Sequence, residues 1–136
     1  MVVAICAKNK KLLETLTAIS DDRLQAVGFT KQVADYMEAS DMILTKPGGL
    51  SASEAAASGL PMVLIDAVAG CEEHNLDYFL RAGMAVTGDT PEKIADLALH
   101  LAHDEKKLSA MRRTMQAANA RPAAEAIYDW LQTHHA

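Results

Sequence analysis

The stretch that decides the fold reads Met42-Ile43-Leu44-Thr45-Lys46-Pro47-Gly48-Gly49-Leu50-Ser51-Ala52-Ser53-Glu54. A short apolar run, a glycine pair and an alanine-rich continuation are typical of a buried strand that turns directly into a helix. The two glycines let the backbone approach a ligand closely, and the free N–H groups of a first helical turn offer an anion site. The stretch therefore makes bound phosphate the leading hypothesis for the ligand.

Two side chains of this stretch have two interpretations. Ser51 and Glu54 satisfy the capping-box spacing, in which the Glu reaches back to the N-cap backbone, and this explains both residues structurally. In the functional interpretation, Ser51 and the backbone N–H groups of Gly49 and Leu50 hold a phosphate. Glu54, one turn later, then accepts hydrogen bonds from the neighbouring hydroxyls of a sugar. Spacing alone leaves both interpretations open.

Other apolar runs extend this pattern along the chain and predict further strands. The predicted strands are Val2 to Ala7, Leu24 to Phe29, Met42 to Thr45, Met62 to Ile65 and Met84 to Val86. Apolar residues at helical spacing separate them, and nearly continuous apolar strands joined by helices predict a parallel sheet covered on both faces. Right-handed crossovers then place the strand-to-helix turns on one ligand-binding edge. The predicted fold class is α/β, a doubly wound, Rossmann-like parallel sheet with a helical C-terminal segment.

The last third of the chain predicts three helices. Thr90, Pro91 and Glu92 form a helix start, with a capping hydroxyl, a proline at the first position and an early acid. The apolar faces of the three helices are Ile94, Leu97, Ala98 and Leu101; then Leu108, Met111 and Met115; then, after the Arg121-Pro122 break, Ala123, Ile127, Trp130 and Leu131. We expect these helices to pack on the sheet or to cross to a missing partner.

Composition excludes several classes of protein. The 136 residues suffice for one domain, and half of them are hydrophobic. The net charge is -5 and no basic run extends beyond residues 8–11, so nucleic acid is not the expected partner. Cys6 and Cys71 fit a reducing cytoplasm better than a disulfide framework. No apolar stretch reaches the length of a membrane span, and we expect no signal peptide in the first residues, because no charged segment precedes the apolar run.

Two further strand-end turns carry candidate residues. Gly28, Phe29 and Thr30 predict either a core aromatic beside a turn glycine or an aromatic and a hydroxyl at the ligand edge. The turn from Asp66 to Asn75 is polar and leads into a helix. Its Glu72, Glu73 and Asn75 are either residues of a first helical turn, where acids favour the helix dipole, or ligand contacts. The length of this turn favours a binding role.

Taken in order, residues 27–85 resemble the C-terminal domain of GT-B glycosyltransferases, especially the bacterial and plastid diacylglycerol glycosyltransferases. The shared residues are Gly28-Phe29, Met37, Ser40-Asp41, Thr45-Lys46-Pro47-Gly48-Gly49-Leu50-Ser51, Ser53-Glu54, Gly59-Leu60-Pro61, Gly70, Glu72, Asn75 and Ala82-Gly83. This ordered combination is far more specific than any single piece, and nearly the whole chain aligns with that domain.

The resemblance implies a role for each matching position. The positions match family residues that hold the uracil (Phe29, Thr30), the diphosphate (Gly48, Gly49, Leu50, Ser51), the ribose hydroxyls (Glu54) and the donor sugar (Glu72, Asn75). Cys71 stands where these relatives usually carry Gln, and a thiol is a poor hydrogen-bond partner. This departure bears on which sugar is bound and how tightly.

The resemblance also implies parts that residues 1–136 do not represent. As a single domain, the chain is expected to lack the first strand of the C-terminal domain and the whole N-terminal acceptor domain, which supplies the catalytic base. We therefore expect no catalytic residue in this chain and no turnover by the chain alone.

The implied function is the donor-binding part of an inverting, metal-independent glycosyltransferase that moves a hexose from a UDP-sugar to a diacylglycerol-like lipid. The UDP-sugar is the donor substrate, and no cofactor is expected. The expected location is cytoplasmic, with attachment to the inner face of the membrane only through the missing parts. Two alternatives stay open: a nucleotide-sugar-binding subunit that needs a partner chain or a second copy, and a fragment of a UDP-sugar 2-epimerase.

Overall fold

A computed structural model describes residues 1–65, 67, 70–119 and 123–134, with the backbone alone at position 123. The elements in these ranges are β1 (Val2–Ala7), α1 (Lys10–Thr17), β2 (Leu24–Gly28), α2 (Val33–Glu38), β3 (Ile43–Thr45), α3 (Gly49–Ala57), β4 (Met62–Leu64), α4 (Cys71–Arg81), β5 (Ala85–Thr87), α5 (Pro91–Ala102), α6 (Glu105–Ala118) and α7 (Ala123–His134). The chain forms two compact units, Met1–Tyr36 and Met37–Ala136, which are described in turn. Organisation as a single domain stays a prediction.

The first unit is built on a parallel strand pair. β1 and β2 run in register from the pair Val2 and Leu24, with an irregularity before Ala7, and α1 packs against both strands. The Asn9 side chain caps α1 by accepting a hydrogen bond from the Leu12 N–H at 3.0 Å. The helix ends at Thr17, so Ile19 lies beyond it and is half exposed.

The second unit is built on a parallel sheet in the order β3, β4, β5. The central strand β4 is buried on both faces, and Met62, Val63 and Leu64 have no exposed surface. Strands that alternate with helices and pair in parallel in both units confirm the predicted α/β doubly wound class. The five strands hydrogen-bond as two sheets, one of two strands and one of three.

The C-terminal helices differ in how they pack. Thr90 caps α5 and Pro91 is its first residue, as predicted. A buried cluster joins Val63 of β4 to both helices, through Ala98 and Leu101 of α5 and Leu108 and Met111 of α6. The predicted apolar faces of α5 and α6 are therefore confirmed as core. By contrast, Ile127, Trp130 and Leu131 of α7 are exposed, with Trp130 at 57% exposure, and the predicted Arg121-Pro122 break lies outside the described residues.

Glycines end α3 and α4 and direct the chain into the next strand. Gly59 and Gly83 have φ values of 68° and 72°. After α4 the Met84 N–H donates to the Phe79 carbonyl at 3.0 Å and the Gly83 N–H to the Leu80 carbonyl at 3.0 Å. This is a Schellman turn, and it requires the left-handed conformation that glycine adopts without strain.

We expect Gly83→Ala to lower the free energy of unfolding by about 1 kcal/mol, because alanine is strained at this positive φ. Chemical denaturation of the two proteins measures the difference. The matched control is Gly49→Ala, the same chemical change at a helical position without positive φ. Equal stability of Gly83→Ala and the parent would contradict the structural role of this turn.

Candidate nucleotide-sugar site

The N-terminus of α3 presents free hydrogen-bond donors. Gly48 is the N-cap residue, and no side chain of the described residues caps the helix. Ser51 is the third helical residue, so the capping-box interpretation of Ser51 and Glu54 is wrong; the Ser-x-x-Glu spacing is present, but one turn too late. Within the described part of the chain, the backbone N–H groups of Gly49, Leu50 and Ser51 have no hydrogen-bond partner. These donors, with the positive end of the helix dipole, form a potential anion site.

The fold itself does not require glycine at positions 48 and 49. Gly48 has a φ of -69°, and Gly49 is helical, so other residues could adopt both conformations. Of the residues that the structure describes, a Cβ atom on Gly49 would meet none within 4 Å, and one on Gly48 would meet only a Glu72 carboxylate oxygen at 3.8 Å. Neither backbone strain nor packing explains the glycine pair. Open space in front of free amides does fit a ligand that lies against the backbone.

Glu54 lies on the same helix, and its carboxylate is accessible to a ligand. Its side chain is exposed, and within the described residues its carboxylate forms no hydrogen bond or ion pair. Ser51 and Glu54 are three positions apart, so they lie on neighbouring positions of one helix face. A carboxylate one turn beyond an anion site can accept hydrogen bonds from hydroxyls next to a bound phosphate.

The start of α4 differs from the predicted long turn. The helix begins at Cys71, so the connection from β4 spans only positions 65–70, an ordinary length for such a sheet. The inference of a binding role from loop length was therefore wrong, and Asp66, Val68 and Ala69 lie outside the described residues. Glu73 has a structural role, because its carboxylate accepts a hydrogen bond from the Gly70 N–H at 3.1 Å. Cys71 is an exposed free thiol.

Glu72 and Asn75 of α4 lie next to the glycine turn that precedes α3. The Glu72 carboxylate lies beside Gly48, and the Asn75 side-chain amide donates to the Pro47 carbonyl at 2.9 Å. Both side chains are partly buried, and Pro47 is fully buried. The second unit thus brings together the turn at 47–49 and two α4 residues predicted to face the donor sugar. The hydrogen bond between Asn75 and Pro47 joins positions far apart in sequence, and no sequence pattern indicated it.

Phe29 and Thr30 belong to the first unit, directly after β2. Phe29 is 66% exposed, so the interpretation as a core aromatic was wrong. The Thr30 hydroxyl accepts a hydrogen bond from the Gln32 N–H at 3.0 Å, which orders this turn. An exposed aromatic at a strand end is suited to stacking on a planar ring. Their role in holding uracil stays a prediction.

A different concavity of the second unit does not belong to this site. It is an open groove of about 1240 Å³, with apolar lining residues that include Leu44, Ile65, Leu76, Ile94 and Leu97. None of the predicted site residues lines it. Among residues 1–65, 67, 70–119 and 123–134, no group of three His, Cys, Asp or Glu side chains is placed to hold a metal ion. In the same ranges, no helix is both long and apolar enough to cross a membrane.

Comparison with known proteins agrees with this architecture. The crystal structure of the glycotransferase of kitacinnamycin superposes with a TM-score of 0.57 at 20% identity, over 86% of this chain and 40% of that one. At that identity the likeness shows the fold alone. A sequence profile of the family described as "Glycosyl transferases group 1" matches residues 7–118. The chain therefore belongs to this glycosyltransferase family, which is of the GT-B type.

Three curated relatives have the same enzyme name. The chain is 30% identical over 131 residues to the processive diacylglycerol beta-glucosyltransferase of Bacillus pumilus and 32% identical over 129 residues to that of Bacillus licheniformis. It is 33% identical over 128 residues to the enzyme of the same name in Staphylococcus aureus strain Newman. These alignments cover 94%, 93% and 93% of the chain but only 34%, 34% and 33% of the relatives. The predicted resemblance is confirmed, and the chain spans about a third of the relatives' length.

Proposed function

We propose that this chain is the donor-binding part of a glycosyltransferase that moves a hexose from a UDP-sugar to a diacylglycerol-like lipid. The observation that carries the proposal is the N-terminus of α3, where the N–H groups at 49–51 have neither a side-chain cap nor another partner among the described residues and follow two glycines that the fold does not need. The names of the curated relatives support the glucosyl donor and the diacylglycerol acceptor.

In this proposal, different residues of the chain bind each part of the UDP-sugar. The diphosphate accepts hydrogen bonds from the N–H groups at 49–51 and from the Ser51 hydroxyl, with Gly48 leaving room for its approach. Glu54 accepts the ribose hydroxyls, and Phe29 and Thr30 hold the uracil. Glu72 and the Asn75 side-chain oxygen face the sugar. The exposed Glu54 carboxylate, without a protein partner among the described residues, supports its assignment to a ligand.

The chemical contribution of these residues is charge stabilisation. When the acceptor hydroxyl displaces UDP at the anomeric carbon, with inversion, negative charge grows on the departing diphosphate. Fixed N–H groups at a helix N-terminus stabilise such charge without reorganising during the reaction. The base that deprotonates the acceptor is assigned to a part of the enzyme outside this chain, so the chain alone is expected to bind donor and not to turn over.

A subunit that requires a partner is the second candidate, and surface exposure supports it. Ile127, Trp130 and Leu131 of α7 are 60%, 57% and 41% exposed, and Leu44 of β3 is 49% exposed. A second polypeptide or a further part of a longer one would cover such residues. Both cases retain the same donor site.

Isothermal titration calorimetry of the 136-residue chain with UDP, UDP-glucose and UDP-galactose tests the proposal. We expect saturable binding of all three, because all share the diphosphate, ribose and uracil. ADP is the matched control: it keeps the diphosphate and ribose and changes only the base. The absence of UDP binding to a folded chain, verified by circular dichroism, would overturn the proposal for this chain.

A further inference from the structure

Asn75 contacts the glycine turn in a way that its predicted role does not explain. Its side-chain nitrogen lies 2.9 Å from the Pro47 carbonyl oxygen, in a partly buried position. The hydrogen bond connects the first turns of α4 to the residue that precedes the α3 N-cap, 28 positions away in sequence. Pro47 is fully buried, so this carbonyl has little access to water.

Chemistry fixes the orientation of the Asn75 amide. A backbone carbonyl is only an acceptor, so the Asn75 atom that faces it must be the NH2 group. Among the described residues no group donates to the side-chain oxygen of Asn75, so this oxygen is available there as an acceptor. The same side chain therefore supplies a structural donor on one side and a potential ligand contact on the other.

We infer that Asn75 is a positioning residue, which holds the turn at Pro47 and Gly48 so that the α3 N–H groups aim at the diphosphate. This inference rests on the proposed UDP-sugar function. It assigns Asn75 an effect on the nucleotide itself, even when no sugar is attached. A partly buried hydrogen bond to the residue next to the N-cap restrains the backbone at the point where the anion would bind.

Asn75→Ala tests the inference against a closely matched control, Asn119→Ala. Asn119 also donates from its side-chain amide to a backbone carbonyl in a partly buried position, that of Ala56, at 2.7 Å. That bond lies near the C-terminal end of α3, whereas the Asn75 bond lies before its N-terminus. Both variants lose the same kind of hydrogen bond, so they should lose similar stability. Only Asn75→Ala should disturb the glycine turn.

Two measurements on the 136-residue chain test whether Asn75 positions the glycine turn. In the free protein the Ala52 N–H donates to the Gly48 carbonyl at 3.1 Å, and we expect hydrogen exchange of this amide to be about tenfold faster in Asn75→Ala than in the parent, and unchanged in Asn119→Ala. By calorimetry, UDP should bind about tenfold more weakly to Asn75→Ala and with parental affinity to Asn119→Ala.

The outcomes separate this inference from the proposed function. Failure of the parent chain to bind UDP would overturn the proposed function, while the exchange rates of the free protein would still decide whether Asn75 holds the turn. Parental exchange of the Ala52 amide in Asn75→Ala would overturn the inference. So would a loss of affinity for UDP-glucose with unchanged affinity for UDP, because that pattern identifies a sugar contact alone.

Discussion

Gly49→Ala is expected to weaken UDP binding by about ten- to hundredfold, the equivalent of one charge-assisted hydrogen bond. A methyl group at this position would stand in front of the free N–H groups of α3 and keep the diphosphate from reaching them. The fold should tolerate the change fully, because the added Cβ meets no atom of the described residues within 4 Å and Gly49 has no positive φ. Calorimetry with UDP measures the affinity, and chemical denaturation measures the stability.

The control for Gly49→Ala is Ser58→Ala, a small change in the C-cap residue at the opposite end of the same helix. It should leave UDP affinity at the parental value. Parental affinity in Gly49→Ala would show that no ligand lies against this turn. The glycine pair would then have neither a structural nor a ligand-binding explanation.

Glu54→Ala is expected to weaken UDP binding by about a hundredfold, because a carboxylate that accepts two ribose hydroxyls contributes two charge-assisted hydrogen bonds. Its stability should equal that of the parent, since the Glu54 side chain is exposed and has no partner among the described residues. Calorimetry with UDP and with 2′-deoxy-UDP measures the effect. Because 2′-deoxy-UDP already lacks one of the two hydroxyls, the substitution should cost it much less affinity than it costs UDP.

Glu38→Ala serves as the control for Glu54→Ala, because it removes an exposed carboxylate of the same charge from α2. It should bind UDP like the parent. If Glu54→Ala weakened the affinity for UDP and for 2′-deoxy-UDP by the same factor, Glu54 would not bind the ribose through the 2′-hydroxyl. The effect would then reflect general electrostatics.

The order of strands and helices could be predicted from sequence because apolar runs and helical spacing alternate clearly. Thr90 and Pro91 mark the start of α5 by local chemistry, and the structure agrees. Burial of Leu108 and Met111 followed from their spacing on one face of α6. By contrast, the same kind of spacing in α7 predicts an apolar face whose residues Ile127, Trp130 and Leu131 are exposed. Periodicity identifies an apolar face of a helix, but it does not identify the element that covers that face.

The candidate site could be predicted only where the signal was local. The glycine turn before α3 lies in one short stretch, so its position at the helix N-terminus followed directly. The capping-box interpretation failed because Ser-x-x-Glu fits the sequence while Gly48 is the N-cap. The contact of Asn75 with Pro47 depends on tertiary packing of α4 beside α3, and no short-range rule contains that information.

The most direct test of the central claim is a titration of the isotope-labelled 136-residue chain with UDP, followed by two-dimensional ¹H–¹⁵N NMR. We expect the amide signals of Gly49, Leu50 and Ser51 to shift most and to saturate together, because their N–H groups receive the diphosphate. Saturable shifts confined to other residues, with these three amide signals unmoved, would contradict this claim.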